Sequence, residues 1–539
     1  MSNSCPLDYR YGRPEMKQVF SEESRIQNQM YVEAALARAH ASLGTISEAD
    51  AAEITRVASL EVVSIDRIKE IEAETRHDLM AMVKAMTEKC QGDAGKYVHL
   101  GATSNDIVDT ATALQIKAAM EIILEDVENF IYTLAVVAKR ERDTLEIGRT
   151  HAQFAIPITF GFKIAGYIAE MLRHRQRIIE CMPRACAGKM AGAVGTGAAL
   201  GKNFFQIQRA VMDDLGLTYE PAATQVVGRD RYTEVICLMA NIATSIERYG
   251  TEVRNLQRSE IGEASEYFDA KKQVGSSTMA QKRNPMNSEN ACGLARVVRA
   301  FVTPTFESQV LWHERDLSNS STERFTLPHV FILTDEILKK MNWIFEGLEV
   351  HRDKMLQNIE SSQGLVMAEP LMMKLTEKGV GRQDAHEIIR ESSMVAVEKN
   401  MHLRDVLLQR EDLKGILTPE EIAATMDASN YVGGSREIVD KMVSAAEEAT
   451  GRTVQRWRPE RSTGSSSEPS SGCSSESPCR SCATPGGACS WCPSAPSWGW
   501  PPRCSSRRTP TTMIDGGRPP SKNFLGFFFR SSSPRGRRA

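Results

Sequence analysis

Two stretches of the chain repeat apolar residues at alternating steps of four and three, and that rhythm leaves little choice of fold. Ile116, Met120, Ile123, Val127, Phe130, Leu134 and Val137 follow it in the first, and Val235, Met239, Ile242, Ile246, Tyr249, Val253 and Leu256 in the second. Side chains recurring every 3.5 residues keep to one stripe of an α-helix, and a partner helix lying along that stripe at a shallow angle buries it. Each seam therefore predicts a helix roughly 30 Å or more long at 1.5 Å per residue. Helical periodicity runs through nearly all of the chain up to about residue 450, and no alternating strand pattern stands out. The expected fold class is all-α: three helical domains, the central one a bundle of long helices that assembles into an oligomeric core, because the seams exceed what one chain needs. The boundaries drawn are 1–108 for an N-terminal helical domain, 109–362 for the bundle and 363–452 for a smaller C-terminal helical domain. In the last, shorter amphipathic segments are separated at Gly379 to Gly381 and at Thr418-Pro419.

Beyond residue 452 the composition changes abruptly. Residues 453–539 hold 12 of the 22 prolines, 4 of the 6 tryptophans and 13 Lys+Arg against 4 Asp+Glu. A segment so rich in Ser, Pro, Gly and Arg buries too little apolar surface to offset chain entropy, so it is expected to be disordered. Its sudden onset also resembles a shifted reading frame, and its positive charge suits an acidic partner. Cys479-x2-Cys482 and Cys489-x2-Cys492 have zinc-ligand spacing, but the Ser/Pro/Gly surround argues against a knuckle, and no metal is expected. Cys5, Cys90, Cys181, Cys186, Cys237 and Cys292 are scattered through the body and read as free thiols of a reducing compartment. The net charge of -3 gives no ground for a nucleic-acid or membrane-surface partner. No apolar run reaches the roughly 18 residues of a membrane span, and the N-terminal residues lack the pattern of a secretory signal. The cytoplasm is the expected location.

Polar, glycine-bearing loops at 99–106, 188–197 and 262–285 interrupt the helical pattern, and such loops on a rigid scaffold are where sites are built. Gly275-Ser276-Ser277-Thr278-Met279-Ala280-Gln281-Lys282-Arg283-Asn284-Pro285, followed by Glu289, combines hydroxyls, cations and an amide. It leads into a helix whose N-terminus adds partial positive charge, so it suits a carboxylate with a hydroxyl beside it. Gly148-Arg149-Thr150-His151-Ala152-Gln153 places a histidine, the side chain best suited to proton transfer near neutral pH, among polar neighbours. His99-Leu100-Gly101-Ala102-Thr103-Ser104-Asn105-Asp106 offers hydroxyls and backbone N–H groups at a helix start, again suited to a carboxylate. Each also has an ordinary structural reading, as a solvated loop, a capping residue or a helix cap.

Together these segments resemble the three signature regions of the fumarase/aspartase superfamily, the first being similar to its GSSxMPxKxNP loop with Ala280 in place of proline. Four further segments resemble adenylosuccinate lyases in particular. They are Arg10-Tyr11-Gly12-Arg13-Pro14-Glu15-Met16, Thr75-Arg76-His77-Asp78, Thr224-Gln225 with Arg229-Asp230-Arg231, and Trp312 to Ser318 continuing through Ser320 to Arg324. Arginines beside hydroxyls suit a nucleotide phosphate and a second carboxylate, through charge-assisted bidentate bonds. The resemblance spans about residues 9 to 450.

The resemblance implies a C–N lyase of purine nucleotide biosynthesis that releases fumarate from adenylosuccinate, leaving AMP, and from the succinyl-carboxamide intermediate SAICAR, leaving AICAR. It implies Ser276 as the base, His151 as the acid that protonates the departing nitrogen, and Glu289 tuning a histidine. Lys282, Asn284, Thr103 and Ser104 would hold the carboxylate that becomes an aci-carboxylate. Arg10, Tyr11, His77, Asp78, His99, Gln225, Arg315, Ser320 and Arg324 would bind the rest of the substrate. It further implies a homotetramer with active sites shared among subunits, small-molecule purine nucleotides as the only other partners, and no cofactor. Another lyase of the superfamily, such as argininosuccinate lyase or a carboxymuconate-cycloisomerase-like enzyme, is disfavoured by the segments at 10–16, 75–78 and 312–324. A non-catalytic helical scaffold is disfavoured because Ser276, His151 and Lys282 are all present.

Overall fold

The computed structural model describes residues 4–269 and 271–455, and the expectations placed on the tail from residue 456 onward lie outside them. The chain is all-α, and its core is built by four long helices, Ser104–Arg140, Phe160–Ala185, Asp230–Leu256 and Ser318–Glu346, with the shorter Met286–Ala300 beside them. The 37-residue first member is about 55 Å long at 1.5 Å per residue. Aromatic rings knit the bundle where the helices cross. Phe130 meets Phe345 edge-on at 5.6 Å and Tyr249 at 6.1 Å, and Tyr167 lies 4.3 Å from Tyr249. Serines that accept a backbone N–H from the first turn start several of the flanking helices, among them Ser21, Ser47 and Ser64.

Every residue of both seams is buried within the single chain. The Ser104–Arg140 seam is covered by neighbouring helices of its own protomer, so its burial does not by itself require a second chain. Residues 371–422 gather around a second apolar cluster that includes Leu371, Leu375, Leu403, Leu407 and Ile422. The last helix, Ser435–Thr450, returns to the main core through Val439, Val443 and Ala446.

Strands are few but one pair matters. Leu145–Thr150 and Gln153–Thr159 form an antiparallel hairpin, where the sequence was read as having no convincing strand. The alternation that would have marked it is broken by a bulge between Ile147 and Arg149, and by burial of the neighbouring Glu146 and Ile147. Two two-residue pairings, Ala187–Gly188 with Thr218–Tyr219 and Ala264–Ser265 with Glu349–Val350, pin loops to the bundle.

Candidate active site

His151 and Ala152 are the two turn residues of that hairpin, with φ of 52° and 60°. Positive φ at both positions is what a type I′ hairpin turn requires, usually met by Asn and Gly. Two side-chain-bearing residues held there store strain of order 1–3 kcal/mol each, a feature that gathers at functional sites. The base of the hairpin is fixed by charge. Arg149 donates a fork of two 2.7 Å bonds to the fully buried Glu263, and its guanidinium lies 5.3 Å from the centre of the Phe154 ring. Below it Lys163 bridges Glu146 and Glu252 at 2.6 and 2.5 Å. Burial pushes the Glu146 carboxyl up to about 7 in spite of that ammonium. The result is a stem fixed by charge that carries an exposed imidazole at its turn.

The 99–106 loop is locked from beneath. His99, at φ 65°, donates its backbone N–H to Glu33 at 3.0 Å and faces the same buried carboxylate through Nδ1 at 2.7 Å. Burial alone would depress the His99 pKa, but the Glu33 hydrogen bond and charge, with Asp106 behind, outweigh it and leave the ring more basic than usual. Asp106, wholly buried, accepts from Thr103 N at 2.8 Å, Lys189 Nζ at 2.5 Å, Ala191 N at 2.8 Å and Gly192 N at 3.0 Å. The Thr103 N–H expected to face a substrate carboxylate is therefore spent on Asp106, as are the amides of residues 191 and 192, because an unpaired buried carboxylate would be far costlier. The half-buried Ser104 hydroxyl remains without a partner among the described residues.

In the 275–289 segment, Ser276 Oγ accepts the backbone N–H groups of Thr278 and Met279 at 3.3 and 3.1 Å. Two amides aimed at one hydroxyl oxygen favour negative charge on it. Asn284 Nδ2 donates to Gly275 O at 3.0 Å, and a Cβ on Gly275 would come within 2.1 Å of Lys282 O, so only glycine lets the loop close on itself there. Lys282, Asn284 and Glu289 line an open cavity of about 700 Å³ together with Arg254, Arg258 and Arg283, a strongly cationic surround. The helix N-terminus that follows is not free for a substrate. Glu266 already accepts from Ser288 N at 2.6 Å, Asn287 N at 3.2 Å and Asn287 Nδ2 at 3.0 Å. Glu289 is exposed and makes no hydrogen bond or ion pair with a histidine of the protomer among the described residues.

The outlying segments pair across long sequence distances. Arg324 reaches Asp78 at 3.5 Å, Arg25 lies 3.8 Å from the same carboxylate, and Ser320 shares their cavity of about 340 Å³. His77 caps the Asp78–Lys89 helix, its Nδ1 accepting from Met80 N at 3.4 Å. Arg315 Nη1 donates to Gln225 Oε1 at 3.0 Å, and Arg315 Nε is buried without a partner. Tyr11 accepts from Asn290 Nδ2 at 3.3 Å, while Arg10 is exposed. Arg229, expected among the phosphate-binding arginines, is instead a buried strut bonded to Asp109 and Glu323. Glu33, Asp106, Lys189, Glu263 and Glu266 were not singled out from the sequence, since each gains meaning only from a partner distant in the chain. Within the protomer no hydrogen bond among the described residues joins the His151 turn, the Ser276 loop and the Thr103–Ser104 helix start to one another.

Sequence profiles place this arrangement in a class. A lyase family, described simply as "Lyase", matches residues 8–300, and a second profile, described as "Adenylosuccinate lyase C-terminus", matches 364–442. Among solved structures, the 3-carboxy-cis,cis-muconate lactonizing enzyme of Pseudomonas putida superposes with TM-score 0.74 at 32% identity, covering 82% of this chain and 99% of the other. A fumarate lyase from Mesorhizobium superposes equally well, at 0.74 and 31% identity over 80% of this chain and 98% of its own. An adenylosuccinate lyase of Pyrococcus horikoshii is 47% identical over 82% of this chain and 98% of its own length, and one from Aquifex aeolicus is 39% identical over 80% and 98%. The chain belongs to the adenylosuccinate lyase family, within the fumarase/aspartase superfamily of lyases. Among the described residues no helix is long and apolar enough to cross a membrane.

Proposed function

We propose that this enzyme cleaves adenylosuccinate to AMP and fumarate, and SAICAR to AICAR and fumarate, by β-elimination in the cytoplasm. The observation that carries the choice of substrate is the C-terminal match. The solved structures bear the names of other reactions, whereas residues 364–442 match the C-terminal region of adenylosuccinate lyases and the whole-length relatives carry the same name.

In this reading Ser276 removes a proton from the carbon next to a succinyl carboxylate. Lys282, Asn284 and the Thr103–Ser104 helix start stabilise the resulting aci-carboxylate as it forms. The electron pair expels the nitrogen, His151 gives it a proton, and fumarate leaves with no redox change. Arg10, Tyr11, His77, Asp78, His99, Gln225, Arg315, Ser320 and Arg324 hold the nucleotide and the second carboxylate. The unpartnered Arg315 Nε and the Arg324–Asp78 cavity support a binding role there. Because no hydrogen bond among the described residues joins the His151 turn to the Ser276 loop, we assign the acid and the base to different subunits of a homotetramer with shared sites. Glu289 would meet its histidine in the same way.

A substrate panel tests the assignment. Adenylosuccinate and SAICAR are expected to give fumarate with kcat/KM on the order of a hundredfold or more above argininosuccinate and 3-carboxymuconate, because a site built to pair a phosphate rejects molecules that leave its arginines unpaired. A preference for argininosuccinate or carboxymuconate would overturn it.

A further inference from the structure

The N-terminal segment that carries Arg10 and Tyr11 has slight apolar anchorage, Leu7 and Tyr11 lying only partly buried against the core. The short helix Pro6–Tyr9 buries no residue, and the first fully buried side chain among the described residues is Met16. Polar contacts fix its place instead. Gly12 N donates to Glu336 Oε2 at 3.1 Å, and a Cβ at Gly12, where φ is +89°, would sit 2.3 Å from Ile332 Cγ2. Arg13 then turns inward. Its Nε donates to both oxygens of Asp335 at 2.9 and 3.0 Å, and its Nη2 donates to Asp126 Oδ2 at 2.7 Å as well as to Asp335. The side chains of Asp126 and Asp335 are 3% and 0% exposed, so the guanidinium is the cap on a dry pair of carboxylates.

We infer that Arg13, Asp126 and Asp335 form a positioning clamp that sets Arg10 and Tyr11 against the rest of the substrate site. The three residues come from the three parts of the chain whose relative placement binding requires. Arg13 is two residues from Tyr11. Asp126 lies on Ser104–Arg140, the helix that begins at the Thr103–Ser104 site, and Asp335 lies on Ser318–Glu346, the helix that bears Ser320 and Arg324. One planar fork therefore holds both helices and the segment in register, which a single point charge would not do. The inference rests on the reading of Arg10 and Tyr11 as substrate-binding residues.

The clamp carries its own pH signature. The groups facing Asp126 are Arg13 from the segment and Asp335 and Lys339 from the Ser318–Glu346 helix, with Lys339 Nζ at 3.3 Å; Glu15 acts only on Arg13. Burial, then the hydrogen bond and charge of Asp335, push the Asp126 carboxyl up to about 8 against the two cations. At neutral pH the Asp126 carboxyl is thus largely protonated. With the folded value above the ordinary one, the stabilisation is complete at low pH and is lost as pH rises through about 8, where a second negative charge appears in the pair.

Steady-state fumarate release by the full chain on adenylosuccinate decides the matter. Arg13→Met is expected to raise KM about tenfold to a hundredfold with a smaller change in kcat, the effect of a binding segment displaced by an ångström or so. Arg13→Lys, which keeps the charge but not the fork, is expected to recover only part of that. Asp126→Asn imitates the protonated acid, so it is expected to keep the neutral-pH KM and to lack the rise in KM expected of the wild type above pH 8. It also keeps the test open if Arg13→Met fails to fold. A thermal midpoint lowered in Arg13→Met with KM unchanged, or a KM that climbs above pH 8 in Asp126→Asn as in wild type, would overturn the clamp. Arg10→Ala and Tyr11→Phe separate the two levels. If neither raises KM, the substrate-binding reading falls and the clamp with it; if both do while Arg13→Met does not, the clamp alone falls.

Discussion

Replacing Ser276 by alanine is expected to lower kcat for fumarate release on the order of a thousandfold to ten-thousandfold, with KM and the thermal midpoint close to wild type. The hydroxyl is half-buried on a loop and accepts only the N–H groups of Thr278 and Met279, both solvent-facing residues that water can serve instead. Little stability is therefore at stake. On the proposed mechanism the chemistry is another matter: a carbon acid beside a carboxylate is so weak that removing the base proposed here would leave only electrostatic stabilisation by Lys282 and Asn284. Retained kcat in Ser276→Ala, measured alongside an unchanged melting curve, would move the base to another residue.

Asp106→Ala is expected to destabilise the fold by about 3–5 kcal/mol, because it strands the Lys189 ammonium in a buried site. The carboxylate also satisfies the N–H groups of Thr103, Ala191 and Gly192, so both glycine-bearing loops lose their common anchor. Activity should fall with stability, since Ser104 is placed by the same anchor. A double-mutant cycle with Lys189→Met separates the pair from its surroundings. The double variant is expected to be more stable than Asp106→Ala alone, because the stranded charge is gone. Equal stability of the single and double variants in denaturant unfolding would show that the ion pair is not what holds the loops.

Repeating patterns were legible in the sequence and long-range polar contacts were not. The steps of four and three specified the helices Ser104–Arg140 and Asp230–Leu256, because helix burial is written in local spacing. The polar loops between them stood out for the same reason, as breaks in that spacing. The hairpin bearing His151 was hidden because a bulge and a buried glutamate erase the two-residue period. The Asp106–Lys189 lock joins residues 83 apart, and Glu266 caps a helix beginning 20 residues later, so neither leaves a local trace. Charged residues that looked like ligands also divided in a way spacing does not show. Arg315 keeps an unpaired buried nitrogen, whereas Arg229 is consumed by Asp109 and Glu323. The seams alone do not report assembly, for both are fully buried inside one chain.

What then points to assembly is that no hydrogen bond among the described residues links the proposed acid and base, His151 on the exposed turn of a charge-fixed hairpin and Ser276 on a loop of its own. The most direct measurement is fumarate release from adenylosuccinate by a mixture of His151→Ala and Ser276→Ala chains, each inactive alone, after dissociation and reassociation. If acid and base come from different subunits, hybrid assemblies contain some sites with both residues intact, and activity is expected to return to a sizeable fraction of wild type. A mixture as inactive as its components, although size measurement shows that hybrids have formed, would contradict the shared site.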